Sequence, residues 1–263
     1  MTEATLSHSK SVLIGRQDLR DLTTPEPTAT HYPIPHWRFV ESLAETLHFR
    51  HLDIISEEYA VSHDGMRFFG ALTLNVEDSG VRIAVGLRNS HDKSFSLGLT
   101  VGRRVLVCDN LALFGDYTPV VRKHTKHVEI EAILAIAVDQ MQRNFDPMRR
   151  QIAFFRGCDL SDARAKLIIY DAFFGGLADL PKHLGAVVHE HYFEPKYPEF
   201  EPRTLWSLEN AFTSSLKELE PVARLRAVGR LAPFLSQMPT LGTVGASIDV
   251  PVLAAAGGGD GGL

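Results

Sequence analysis

Residues 81–88 read VRIAVGLR, and every second side chain, from Val81 to Leu87, is apolar. Residues 95–101 read FSLGLTV and repeat this alternation, with the apolar side chains at the odd-numbered positions. A period of two sends successive side chains to opposite faces, so both stretches are predicted to be half-buried β-strands. Short turns join these strands to one another and to two similar stretches before them. Such a succession favours an antiparallel meander.

The two earlier strands are predicted over residues 52–62 and 66–76, where Asp64-Gly65 marks a tight hairpin. A helix is predicted after Pro35. From His127 onward the apolar residues are spaced by three and four, which predicts one long helix that Pro147 kinks or divides, with Asp146 as the cap of its second part. Further helices are predicted up to about residue 235. A sheet followed by helices predicts an α+β protein. The predicted architecture is an antiparallel β-meander with a basic face, against which a long helix packs, and a helical C-terminal part follows.

The domain organisation follows from these patterns. We predict a flexible N-terminal segment over residues 1–30 and a single α+β domain over residues 31–238. Within that domain the sheet spans about residues 52–123 and the helices about residues 127–235. Residues 239–263 are predicted to be a disordered, Gly-rich tail.

Composition excludes several protein classes. The 263 residues are 44% hydrophobic and 22% charged, as in ordinary soluble globular proteins. No apolar run approaches the roughly 18 residues that a membrane span needs, so no membrane partner is predicted. The chain has only two cysteines, Cys108 and Cys158, which cannot build a disulfide scaffold. We therefore expect a cytoplasmic protein.

The charge is unevenly distributed along the chain. The whole sequence has a net charge of -5, yet residues 82–127 hold eight basic and three acidic side chains, a net charge of +5. Such a concentration favours an anionic partner, because a phosphate backbone responds to charge within roughly 8–10 Å. The predicted nucleic-acid-binding residues are these eight basic residues and one aromatic residue, Arg82, Arg88, Lys93, Arg103, Arg104, Arg122, Lys123, Lys126 and Phe69.

One face of the third and fourth predicted strands suits a large anionic ligand. Arg82, Arg88 and Arg104 share it with glycines that leave room at the backbone, and Phe69 is placed to stack on a base. Arg103 falls on the opposite, apolar face unless a bulge re-aims it. Two other interpretations stay open at this point: a solvated sheet face, and a surface for an acidic protein partner.

The segment 122–127, RKHTKH, lies where the predicted sheet gives way to the long helix. Its cations beside a helix start make a phosphate site. His124 and His127 have a spacing that a metal site could use, but cations flank His124 and no carboxylate follows in a recognised spacing, so no metal is predicted. The sequence has no phosphate-binding loop, nucleophile elbow or zinc-protease motif. We therefore predict no catalytic residue and no cofactor.

Four segments resemble the phage- and plasmid-type proteins that are grouped as a domain of unknown function. They are residues 86–94 (GLRNSHDKS), 105–111 (VLVCDNL), 124–127 (HTKH) and 204–213 (TLWSLENAFT). The resemblance spans roughly residues 30–220 and implies a protein of mobile DNA, with no established catalytic residue. Two departures are a less polar stretch after Thr213 and the long Gly-rich tail.

The predicted architecture is also similar to that of single-strand annealing recombinases, which form rings and hold single-stranded DNA along a basic groove. This similarity concerns the fold alone. Together these observations predict a protein that binds and anneals single-stranded DNA in recombination or replication of a mobile element, acting as a homo-oligomer or ring. The alternatives are a metal-dependent nuclease or hydrolase, and an interaction module whose basic face meets an acidic partner.

Overall fold

The computed structural model describes residues 11–108, 110–121, 129–175, 178 and 180–237. Within these residues the chain forms a six-stranded sheet in which every strand pairs with its neighbours in the sequence, in the order β1 to β6. All five pairings are antiparallel. The strands are β1 (Ser11–Ile14), β2 (Ile54–Ser62), β3 (Arg67–Asp78), β4 (Val81–Ser90), β5 (Leu97–Val105) and β6 (Asn110–Val121). The predicted α+β class with an antiparallel meander is confirmed.

In the part of the chain that the structure describes, seven α-helices accompany the sheet, with short 3-10 turns at Asp18–Arg20, Pro198–Phe200 and Leu216–Glu218. The helices are α1 (His36–Phe49), α2 (Ile130–Gln142), α3 (Phe145–Gly157), α4 (Asp162–Phe173), α5 (Leu184–Phe193), α6 (Leu205–Ser215) and α7 (Pro221–Gln237). Within the described part of the chain, no helix combines the length and the apolar character that crossing a membrane requires.

The sheet is covered on both of its faces. The first face holds Phe68, Leu72, Val85, Leu87 and Val101, all buried, and α1 packs its His36 and Phe39 rings against Phe68.

The second face holds Ala71, Ala84 and Thr100, which are also buried. α7 contacts β1, β2, β3 and β6, and its Arg224 reaches Glu58 on this second face. Both faces of β4 and β5 therefore belong to the core, although their alternating sequences predict strands that are buried on one side only.

The N-terminal segment differs from its prediction. Residues Ser11–Ile14 pair with β2, and Leu19 of the following turn is completely buried. The expectation of a flexible segment over residues 1–30 is therefore wrong for residues 11–20. A short edge strand carries too few residues for an alternation to stand out in the sequence. Residues 1–10 and 238–263, with the predicted Gly-rich tail, lie outside the described residues.

The predicted long helix is two helices, α2 and α3, which separate at Arg143 and Asn144. Asn144, and not Asp146, precedes the first residue of α3. Pro147 is the third residue of α3, where its missing N–H would have had no partner within the helix. The proline thus fits the first turn of the second helix, while the break itself lies before it.

Candidate nucleic-acid interface

Arg103 lies on the first, apolar face of the sheet, where β4 and β5 pair without a bulge and set it opposite Ile83. Its side chain is 1% exposed and forms an ion pair with the equally buried carboxylate of Glu209 on α6. The guanidinium also lies 4.8 Å from the centre of the Trp206 ring. Arg103 is therefore part of the core and unavailable to a nucleic acid.

The environment of Arg103 lowers its pKa well below the usual value. The first cause is burial, which disfavours the charged form, and the second is the neighbouring positive charge of Arg156. Arg156 lies 4.7 Å from the same Trp206 ring and donates a hydrogen bond to the Ser79 carbonyl. Two guanidinium groups thus converge on one indole, and the Glu209 carboxylate faces the inner one.

Arg104 lies on the second face, as predicted, but it is buried. Its Nη1 donates to Glu58 Oε1 at 2.6 Å, and Arg224 of α7 donates to the other oxygen of Glu58 at 2.9 Å. This Arg104–Glu58–Arg224 cluster ties α7 to the sheet. A carboxylate already shared between two arginines leaves Arg104 a structural partner rather than a phosphate ligand.

The other predicted residues of the second face are partly covered. Phe69 is buried against the ring of Phe95, which the β4–β5 turn folds over the sheet, at 5.1 Å between ring centres. Arg88 is half-buried, with its guanidinium 5.7 Å from the same Phe95 ring. Arg82 forms an ion pair with Glu77, with 3.0 Å between Arg82 Nη2 and Glu77 Oε2. The arginines do share a face, yet the expectation that this face is open to a ligand, with Phe69 free to stack on a base, is wrong.

Among the predicted residues that the structure describes, Lys93 is the one that is exposed to solvent. It sits at the tip of the β4–β5 turn with φ of 62°, and its neighbour Asp92 accepts hydrogen bonds from Ser94 and Arg67. Arg122, Lys123 and Lys126 lie outside the described residues, together with His124 and His127. The structure thus brings Arg88 and Phe69 together and places Arg103 on the opposite side of the sheet from them.

A surface that the sequence analysis missed lies on α4. The exposed residues Leu167 and Tyr170 of α4 and Phe174, which directly follows the helix, recur at intervals of three and four. The rings of Tyr170 and Phe174 stack at 5.3 Å, although their side chains are 59% and 55% exposed. Lys182 completes the group, with its Nζ 5.8 Å from the Phe174 ring centre. We call these four residues the α4 aromatic surface.

The sequence does contain a signal for this surface. The core side of α4 is made by one apolar stripe, whose members are Ala165, Ile168, Ile169, Ala172 and Phe173. Leu167, Tyr170 and Phe174 form a second apolar stripe beside the first. A surface helix needs only one apolar stripe, so the second one indicates a contact made by the exposed side of the helix.

A cluster of buried polar side chains lies where the end of β4 meets the start of α1. The rings of His36 and His91 stack in parallel with their centres 3.9 Å apart. Asn89 donates hydrogen bonds to the Ile34 carbonyl and to His36 Nδ1, and His91 donates to the Ile34 carbonyl at 2.9 Å. Burial is the main cause that lowers the pKa of His91. This histidine cluster (His36, Asn89 and His91) fastens the segment before α1 to the end of β4.

Two of the segments that carry the family resemblance meet in a small cavity. It has a volume of about 30 Å³, and its walls include Cys108, His191, Ser207 and Asn210. That volume accommodates about one or two water molecules and no larger ligand. Within the described residues, no group of three or more His, Cys, Asp or Glu side chains is arranged to hold a metal ion.

Comparisons with known proteins provide no relative: no family model, curated protein or solved structure matches this chain.

Proposed function

We propose that the protein binds single-stranded DNA of a mobile element, and that bases stack on the α4 aromatic surface. The observation that carries this proposal is the stacked, solvent-exposed pair of Tyr170 and Phe174 beside Lys182. Exposed aromatic rings next to cations are the common means by which proteins hold single strands without sequence preference. The family resemblance to phage- and plasmid-type proteins supports the same class of partner.

The basic segment 122–127 supplies the phosphate-binding part of this proposal. It retains three of the eight predicted cations, while Arg103 and Arg104 are buried in ion pairs. Strand annealing and a homo-oligomeric or ring-shaped assembly remain part of the proposed function. They follow from the predicted architecture alone.

Fluorescence anisotropy with a labelled oligonucleotide of about 30 nucleotides tests the proposal. Each base that stacks on an aromatic side chain contributes about 1–3 kcal/mol, so Tyr170→Ala and Phe174→Ala should each weaken binding about tenfold or more. Phe49→Ala is the matched control, because Phe49 is 81% exposed at the end of α1 and should not matter. Unchanged affinity in both α4 variants would exclude this surface.

The salt dependence separates the phosphate contacts from stacking. For single strands, log K falls with log salt by roughly 0.7 for each phosphate contacted. Replacing Lys123 and Lys126 by Glu should flatten this slope, while Tyr170→Ala should leave it unchanged. No binding at low salt would instead favour the acidic protein partner. Shortening of the labelled strand with Mg²⁺ or Mn²⁺ would favour the metal-dependent nuclease.

A further inference from the structure

A second pair of neighbouring rings lies close to α4, on the helix α5. His189 and Phe193 are four residues apart in α5, which places them on the same side of that helix. Their ring centres are 4.5 Å apart, with 36° between the ring planes. His189 is exposed to solvent, and Phe193 is half-buried and packs against the hydrophobic core. We call these two residues the α5 aromatic pair.

The two members of the α5 aromatic pair have different surroundings. Arg203, in the segment before α6, donates hydrogen bonds to the Tyr192 and Phe193 carbonyls, and its guanidinium lies 5.1 Å from the centre of the Phe193 ring. Phe193 is therefore held by contacts within the protein. The exposed ring of His189 is the member of the pair that a ligand can reach.

Lys166 connects the α5 aromatic pair with the α4 aromatic surface. Its side chain is exposed, and its Nζ lies 5.3 Å from the centre of the Phe193 ring. Lys166, Tyr170 and Phe174 follow one another at intervals of four residues, so they lie along one side of α4 and its end. Stacked rings, a cation and a second pair of rings therefore succeed one another across the two helices.

The spacing of these groups fits a nucleic-acid strand. A helix rises by about 1.5 Å per residue, so the eight residues from Lys166 to Phe174 span about 12 Å. Nucleotides of one stacked strand follow one another at about 3.4 Å, so this distance corresponds to about three or four nucleotides. Histidine, tyrosine and phenylalanine rings all stack on bases, and a lysine ammonium group donates to phosphate oxygens. The lysine between the two sets of rings favours a phosphate-bearing strand over an apolar peptide.

We propose that a single strand bound to the α4 aromatic surface continues to α5, where a further base stacks on His189, and that a phosphate between the two sites contacts Lys166. This inference rests on the proposed function and adds to it a second stacking site and a minimum length. A strand that reaches both sites has at least about four nucleotides, and a shorter strand uses only one of them.

Fluorescence anisotropy with the same labelled oligonucleotide tests the second site. His189→Ala should weaken binding about tenfold, because one stacked base is lost, and His189→Phe should retain the affinity because it keeps a ring. Lys166→Ala should weaken binding and reduce the slope of log K against log salt by roughly 0.7, the value for one phosphate. His63→Ala is the matched control, since His63 is equally exposed but lies in the turn between β2 and β3.

A series of unlabelled oligothymidylates, used as competitors, tests the minimum length. Their affinity for the unchanged protein should rise steeply once the strand reaches about four nucleotides, and His189→Ala should remove this rise. Weaker binding in Tyr170→Ala together with unchanged binding in His189→Ala would overturn this inference and leave the proposed function intact. Unchanged binding in Tyr170→Ala, Phe174→Ala and His189→Ala would refute both. An equal loss in His63→Ala would also overturn the assignment of the second site.

Discussion

The buried ion pair between Arg103 and Glu209 allows a quantitative test of the core. Both side chains are 1% exposed. Arg103 lies on β5 and Glu209 lies on α6, so the pair connects the sheet with this helix. Removing either partner leaves a charge in a site that water cannot reach. We therefore expect Arg103→Met and Glu209→Gln each to lower the free energy of unfolding by about 3–5 kcal/mol.

The change in the free energy of unfolding of a double variant should differ from the sum of the changes in the two single variants. Arg103→Met combined with Glu209→Met replaces the pair by apolar side chains that can pack between the sheet and Trp206. Such replacements are often neutral or stabilising by about 1–4 kcal/mol. The interaction energy in the cycle of Arg103→Met, Glu209→Met and the double variant should therefore amount to several kcal/mol. Since domains are stable by only about 5–15 kcal/mol, either single variant approaches the limit of folding.

Urea denaturation followed by circular dichroism measures these differences. The exposed pair of Arg82 and Glu77 is the control, because its side chains are 33% and 45% exposed, and its loss should cost no more than about 1 kcal/mol. Single Arg103 or Glu209 variants that lose less than about 1 kcal/mol, or whose effects simply add, would refute the inference that this pair is desolvated and coupled.

Two further predictions concern stability. Burial lowers the pKa of His91, so the unfolded chain binds more protons than the folded one below about pH 6.5. The contribution of His91 to stability should be complete above that pH and decrease as the pH falls. The titratable groups next to His91 are His31, His36 and Asp92. His91→Gln should reduce this pH dependence of the unfolding free energy in urea titrations. Thr204 accepts a hydrogen bond from the Ser207 amide at the start of α6, so Thr204→Ala should cost about 1 kcal/mol by the same method, whereas Thr204→Ser should cost less.

The sequence predicted the strands well because their alternation is local. The hairpin at Asp64-Gly65 and the strands β2 to β5 appear within a few residues of their predicted ends. The position of Arg103 on the apolar face was also readable from the alternation. The covering of the second face was not, because α7 returns to it more than a hundred residues after β5. Periodicity describes a strand and its own faces, but it contains no information about which distant helix packs on them.

The same limitation explains why the predicted binding residues did not form one surface. A net charge of +5 over residues 82–127 counts only the acids inside that window. Arg103 and Arg104 are balanced by Glu209 and Glu58, which the fold brings in from either side of it in the sequence. A local excess of cations in the sequence therefore does not by itself give the electrostatic field at the protein surface, because distant carboxylates neutralise some of these cations in the fold. The cations relevant to a phosphate backbone are those that the fold leaves unburied, such as Lys93 and Lys182. An exposed aromatic stripe beside such a cation is consequently a stronger indication of a single-strand site than the charge count.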